Sequence, residues 1–324
     1  MEKRKKVVIE IIAIVLIIVT VIFGGNEKLV YLLNQVLHLE NFTQNSTAIG
    51  ENGNRVIEDQ LKIHYIDVGQ GDSILIQNED AAILIDGGTN ESGDKLLKYL
   101  EEQGVETLNY VIATHPHEDH IGGLDEVIST INIVENVWMI KKSAATKTFE
   151  NLVQAIKDKN IKVEQPKVGQ NIQIGELKIT TLGPVREDYE ETNDWSIVLK
   201  IDYKNNSFIL TGDAEKLAEK DIIDTGIPMS ADILKIGHHG SSTSTTKDFL
   251  EKVKPIYAVI SLGEDNSYGH PHTQTLKLLK QNNIIVYRTD RNGSIVATSD
   301  GDNISFEVEK GSKEGYTDIL KATK

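Results

Sequence analysis

From Leu61 onward, short apolar runs alternate with amphipathic stretches. "LKIHYID" and "DSILIQ" read as strands joined by the glycine-rich turn "VGQG", and "AAILID" as a third short strand. "SGDKLLKYLEEQG" predicts a helix that stops at Gly104. "LNYVIAT" predicts a strand, and "GGLDEVIST" and "TKTFENLVQAIKDK" predict helices. The middle of the chain turns to β structure: "KVEQ", "NIQI", "ELKITTL", "SIVLKIDY" and "SFILTGD", the last two flanking the hairpin signal "KNN". A helix over "AEKLAEKDIID" and a strand over "ADILKIG" follow. "TKDFLEKV", "YAVISLG", "TQTLKLLKQN", "NIIVYRT" and "GSIVATS" continue the strand–helix alternation. The pattern is neither a βαβ series nor all-β, and no internal repeat is evident. Two packed β-sheets with helices on both outer faces satisfy it.

The first 60 residues follow a different pattern. "MEKRKK" precedes the apolar run of residues 7 to 23, interrupted by Glu10. A spanning helix needs roughly 17 to 25 such residues. The basic cluster Lys3, Arg4, Lys5 and Lys6 would keep the N-terminus cytoplasmic and send the rest outward. Residues 1–25 therefore read as a membrane anchor, with a cleaved signal peptide as the rival; "FGGNEKLVY" is a poor cleavage site. Residues 26–60 read as a juxtamembrane amphipathic helix and a polar, Asn- and Gly-rich linker. The globular domain is expected over 61–310, and a polar, frayed tail over 311–324. The implied location is single-pass in the cell membrane with the globular domain outside, or secretion if the signal is cleaved.

Composition narrows the chemistry. The formal net charge of -15 argues against broad, charge-driven binding to nucleic acid, though not against a local basic groove. With no cysteine, disulfides and thiolate zinc sites are impossible, so any metal is held by nitrogen and oxygen.

"THPHEDHIGG" then stands out, because it spends three of the nine histidines and an aspartate within six positions. Neutral imidazole and carboxylate suit zinc, manganese or iron(II). His115 and His117 alternate at a strand end, and Asp119 and His120 follow as a helix begins. A surface turn with accidental histidines is the bland alternative. Partners for a site exist elsewhere. Asp213 follows the apolar strand of "SFILTGDAE", where a helix N-cap is the competing role, and His238 ends another strand in "ADILKIGHHGSS".

These residues resemble the metallo-β-lactamase superfamily. "HPHEDHIGG" carries its His-x-His-x-Asp-His signature. "IDVGQGDSILIQ", "ILIDGG", "ILTGDAE", "LKIGHHGSS" and "NSYGHPH" together resemble the subgroup related to the competence protein ComEC, from about Leu61 to Gly293. The resemblance implies an αββα four-layer sandwich with a dinuclear site of two divalent ions, Zn or Mn. By position, His115 and His117 would hold one ion; Asp119 and His120, with His238, would hold the second; Asp213 would bridge them. Many members carry a further histidine before the bridging aspartate, whereas this chain has none from 121 to 237. Water, Asn193 or Asp194 would then complete the first ion. Two such ions about 3.5–4 Å apart share a water, lower its pKa and supply hydroxide. Asp119 and His239 are the expected catalytic residues, His239 as substrate contact or proton donor. Asp86, Asp72 and Asn193 are expected behind the ligands, and His270 and His272 against substrate.

The implied activity is a membrane-anchored, metal-dependent phosphodiesterase or nuclease acting on extracellular DNA. Lys141, Lys142, Lys147 and Lys235 are the candidates for a phosphate groove. An alternative keeps the chemistry and changes the substrate: the motifs also resemble phosphorylcholine esterases of cell-wall polymers. Such a substrate needs an aromatic box, for which Trp138, Trp195, Tyr189 and Tyr268 are candidates. Lactam or thioester hydrolysis is a weaker possibility. A non-catalytic metal-binding envelope protein is the alternative of another class.

Overall fold

The computed structural model describes residues 60–317. The expected anchor, the juxtamembrane helix and nearly all of the linker lie outside the described residues. Among the described residues, no helix is long and apolar enough to cross a membrane.

The first half of the domain opens with three antiparallel strands, β1 (Leu61–Tyr65), β2 (Ile74–Gln77) and β3 (Ala82–Ile85). Three parallel strands then follow: β4 (Thr107–Ala113), β5 (Asn132–Met139) and β6 (Val163–Glu164). Helices α1 (Gly93–Glu102), α2 (Glu118–Ile121), α3 (Leu124–Thr130) and α4 (Lys147–Asp158) lie between them. The second half repeats this plan. Antiparallel β7 (Asn171–Ile174), β8 (Leu177–Gly183), β9 (Val198–Tyr203) and β10 (Asn206–Leu210) lead into parallel β11 (Ile233–Lys235), β12 (Tyr257–Ile260) and β13 (Ile285–Arg288). Helices α5 (Lys216–Asp224), α6 (Lys247–Val253), α7 (Thr273–Gln281) and α8 (Thr289–Asn292) accompany these strands. Finally β14 (Ile295–Ser299) and β15 (Ile304–Val308) return to the first sheet, which orders as β15-β14-β1-β2-β3-β4-β5-β6. The second sheet orders as β13-β12-β11-β10-β9-β8-β7.

Period-2 alternation divides the buried residues of the first sheet. Ile63, Ile74, Ile76, Ile83 and Ile85 join the cluster shared with the second sheet. Leu75, Leu84 and Val111 join the cluster formed with Leu96 and Leu100 of α1, Leu124, Val127 and Ile128 of α3, and Leu152 and Ile156 of α4. Helices α5, α6 and α7 bury Ile222, Phe249 and Leu276 in the cluster of the second sheet. The αββα sandwich is thus present, with two mixed sheets. Local signals support it: Thr146 and Thr246 cap α4 and α6 by accepting from Phe149 N and Phe249 N.

Three sequence expectations change. β5 and β15 were not anticipated, because polar Asn132, Glu135 and Asn136 interrupt the first, and the second precedes a tail expected to fray. The start of that tail is held instead: Tyr316 exchanges backbone hydrogen bonds with Val286, and Tyr287 donates its hydroxyl to Lys313 O. A repeat does exist, as topology rather than as sequence.

Candidate metal centre

The site gathers at the C-terminal ends of β3, β4, β10, β11 and β12, the edge where ligands of open α/β sheets bind. After β4 the chain enters the turn carrying His115 and His117, and His117 is the N-cap of α2. Gly87 N donates to His120 O and Gly122 N to Gly88 O, so α2 sits against the turn after β3. A Cβ on Gly122 would come within 2.2 Å of Asn90 N, which makes glycine obligatory there. Gly71 is equally constrained, since its Cβ would come within 2.2 Å of Asp119 O.

Asp213 is the hub. Its Oδ2 lies 3.2 Å from His120 Nε2, 3.5 Å from His239 Nε2, 3.8 Å from His238 Nε2 and 3.9 Å from His115 Nε2. The other ring nitrogen of each imidazole faces oxygen. His120 Nδ1 lies 2.7 Å from Asp86 Oδ2, His239 Nδ1 2.9 Å from Ser261 O, and His238 Nδ1 3.1 Å from Glu215 Oε1. His115 Nδ1 lies 3.1 Å from Thr114 Oγ1, whose own proton goes to Asp86 Oδ2. These acceptors place the proton of the neutral ring on Nδ1 and leave the Nε2 lone pairs aimed inward.

Lone pairs aimed at a carboxylate repel unless a cation lies between: a proton in the metal-free protein, a metal ion in the loaded one. Burial alone would push the His120 imidazole down, but the Asp213 and Asp86 carboxylates outweigh it and raise its pKa well above the ordinary value. His239 is raised on the same balance, burial opposed by Asp213, Asp119 and Asp72. Asp119 must overcome its own burial; the His239 imidazole facing it and the charge of His120 hold its carboxyl low. His115 is pushed well down, by burial first and then by His120. Asp213 Oδ1, His120 Nε2 and His239 Nε2 are buried without a hydrogen-bond partner. Two groups of side chains could each hold an ion: His115, His120 and Asp213, and Asp119, His120 and His239. A third comprises Asp72, Asp86 and His120. Orphaned buried nitrogen and oxygen atoms facing one another are what a nitrogen–oxygen metal site requires.

A profile of the metallo-beta-lactamase superfamily matches residues 66–264, more than half of the chain. The chain belongs to the metallo-β-lactamase superfamily. This superfamily member is related to competence proteins. It is 34% identical over 252 residues to ComE operon protein 3 of Bacillus subtilis (strain 168), covering 72% of this chain and 32% of that protein. It is 26% identical over 242 residues to Competence protein ComA of Neisseria gonorrhoeae, covering 74% of this chain and 32% of that protein. The chain thus spans about a third of the length of these relatives. The crystal structure of the metallo-beta-lactamase fold protein YhfI from Bacillus subtilis is similar at 17% identity and a TM-score of 0.49, covering 74% of this chain and 100% of that chain.

In this metallo-β-lactamase chain, the sequence-based division of the two adjacent histidines is corrected. The imidazole beside Asp119 and His120 is His239, whose Nε2 lies 3.2 Å from Asp119 Oδ2. His239 is buried, with its Nε2 facing Asp119 and Asp213. His238 turns its Nδ1 toward Asn193, Glu215 and Thr243 and reaches Asp213 Oδ2 with its Nε2 from another side, at 3.8 Å. The backbone is the cause: His238 (φ 48°, ψ 50°) and His239 (φ 53°, ψ 24°) are both left-handed, so consecutive side chains diverge. Such a conformation costs roughly 1–2 kcal/mol per non-glycine residue. Asp86 is left-handed too, at φ 57°.

The remaining candidates sort by position. Asp194 accepts from Glu215 N and Ala218 N and so caps α5. It thereby takes the capping role that Asp213 was the candidate for, and is itself no ligand. Asn193 donates to Glu215 Oε1 beside His238. His270 lies near the site, edge-on to His238 with ring centroids 5.4 Å apart, and 6.3 Å from His239. His272 Nδ1 accepts from Ser242 N, bracing the loop behind His239. Lys235 is not a groove lysine: it is fully buried and paired with Asp72. Sequence reasoning missed Glu215, although it stands two residues after Asp213; only the fold turns it onto His238.

Proposed function

We propose that the domain is a metal-dependent phosphodiesterase holding two divalent ions. The observation that carries this reading is the ring of four imidazole nitrogens around Asp213 Oδ2. His115, His117 and His238 would hold one ion, and Asp119, His120 and His239 the other, with Asp213 common to both. His238 thereby fills the place of the histidine absent between 121 and 237. Bound there, the ions supply charge neutralisation at a phosphoryl oxygen and lower the pKa of water. The chain's own residues orient the site: Asp86, Glu215, Thr114 and Ser261 hold the Nδ1 atoms and exclude other tautomers.

The substrate we favour is DNA, because one relative is named a competence protein and because the choline alternative loses its walls. Trp138, Trp195 and Tyr189 are buried, whereas Tyr268 is 65% exposed and stacks on His270. One open aromatic face makes no cage for a quaternary ammonium. Lys142 lies over Trp195, Lys147 pairs with Glu150, and Lys141 remains on the exposed loop after β5. Residues 1–25 would tether the domain to the outer face of a cell membrane.

Metal analysis of the purified protein together with turnover of bis(p-nitrophenyl) phosphate tests the proposal. Two ions with turnover, abolished in Asp119→Ala without loss of fold, is the expected result. Bound metal with no activity on phosphoesters or lactams would identify a metal-binding protein instead. Single-stranded DNA against choline phosphate esters then decides the substrate.

A further inference from the structure

Lys235 ends β11, where Ile233 and Leu234 are its buried strand neighbours. Its exposure is 0%. Burying an ammonium is costly unless it is paired and hydrogen-bonded, and an aliphatic residue would fill the place without that cost. Its Nζ lies 2.7 Å from Asp72 Oδ2 and donates to Ile236 O at 3.0 Å. The pair joins the second sheet to the loop between β1 and β2 of the first.

Asp72 has its own links to the metal centre. Its N–H donates to Asp119 O at 3.1 Å, and Gly88 N donates to its carbonyl at 2.8 Å. Its Oδ1 is buried without a hydrogen-bond partner and lies 3.5 Å from His239 Nδ1. Asp86, by contrast, meets His120 Nδ1 directly at 2.7 Å. At Asp72, Lys235 holds the other oxygen, and Ser261 O takes the His239 proton at 2.9 Å. Asp72 thus touches the main chain of one member of the Asp119–His120–His239 group and flanks the ring of another.

We propose that Lys235 and Asp72 form a positioning pair that sets how tightly the ion at Asp119, His120 and His239 is held. This inference rests on the dinuclear reading of the site. Partners behind metal ligands change metal affinity by about 10–100-fold when removed. A pair that merely stabilised the fold would leave affinity alone.

The test is Mn²⁺ titration of the full chain by calorimetry, with thermal unfolding alongside. Lys235→Met alone strands a buried carboxylate and is expected to lose stability. Lys235→Met combined with Asp72→Asn removes both charges and is expected to keep the fold. That double variant should bind one Mn²⁺ as the wild type does and the second about 10–100-fold more weakly. Two ions at wild-type affinity in a folded double variant would overturn the proposal. Should the double variant not fold, Lys235→Arg serves, since it keeps the charge and moves the donor. A weakened second ion there supports the pair, and unchanged affinity overturns it. A wild-type chain that binds no Mn²⁺ or Zn²⁺ would instead sink the dinuclear reading on which the inference stands.

Discussion

The two halves of the sandwich follow one strand plan and use it differently. In each, an aspartate follows the last antiparallel strand, Asp86 after β3 and Asp213 after β10. In each, histidines follow the next parallel strand, His115 to His120 after β4 and His238–His239 after β11. Asp86 turns away from the centre and holds Thr114 N, Thr114 Oγ1 and His120 Nδ1. Asp213 turns inward and meets four imidazoles. Equivalent places in a fold therefore fix where a side chain starts, while its neighbours decide whether it becomes a brace or a hub.

The largest expected effect breaks the hub. Asp213→Ala should lose both ions and lower phosphodiester turnover by about 10³-fold or more. Metal content and turnover measure this, and a variant that keeps two ions would show the halves acting independently. Asp86→Asn should be milder, because it removes a brace and not the hub. One ion should weaken about 10–100-fold by calorimetry. An effect as severe as that of Asp213→Ala would mean the two aspartates do one job. Glu215→Gln comes next, near the lower end at about tenfold, since Thr243 and Asn193 still flank His238. No change in Mn²⁺ affinity would remove Glu215 from the support of the site.

The smallest effects sharpen the comparison away from the metals. His64, on the first sheet, is pushed down to about 4, by burial first and then by Lys62. Its folded pKa lies below its unfolded one, so the unfolded chain binds more protons between about pH 6.5 and 4, and stability falls as pH falls through that window. Glu219, on α5 of the second half, is pushed up to about 7 by burial, against hydrogen bonds from Thr245 and Thr246. Its stabilising contribution is present below its unfolded pKa of about 4.5 and is lost as pH rises to about 7. Each group sets a slope of at most about 1.4 kcal/mol per pH unit. Thermal midpoints across pH should flatten on the acid side in His64→Leu and on the neutral side in Glu219→Gln. Parallel curves for variant and wild type would contradict either assignment.

Much of the first half was legible because its chemistry is contiguous. His115, His117, Asp119 and His120 lie in one turn after an obvious strand, so residue type and spacing sufficed. Asp213 was legible through the apolar run before it, and the resemblance brought the separated motifs together. The division between His238 and His239 was not legible, because two identical neighbours differ only through backbone hand. Lys235 reads as a candidate for a phosphate groove because the short strand it ends carries too little pattern to show burial on both faces. Asp194 was read as a possible ligand because nothing local ties it to the helix it caps, 21 residues away at Glu215.

The sequence by itself determined the layered pattern of elements and the nitrogen and oxygen chemistry, which follow from periodicity, residue type and the absence of cysteine, all local or compositional properties. Its resemblance to a family implied which segments meet at the strand ends. Tertiary structure alone decided which histidine faces which carboxylate and that a lysine lies buried behind the site. Each of these depends on distances between segments far apart in the chain, and burial makes every such contact energetically decisive.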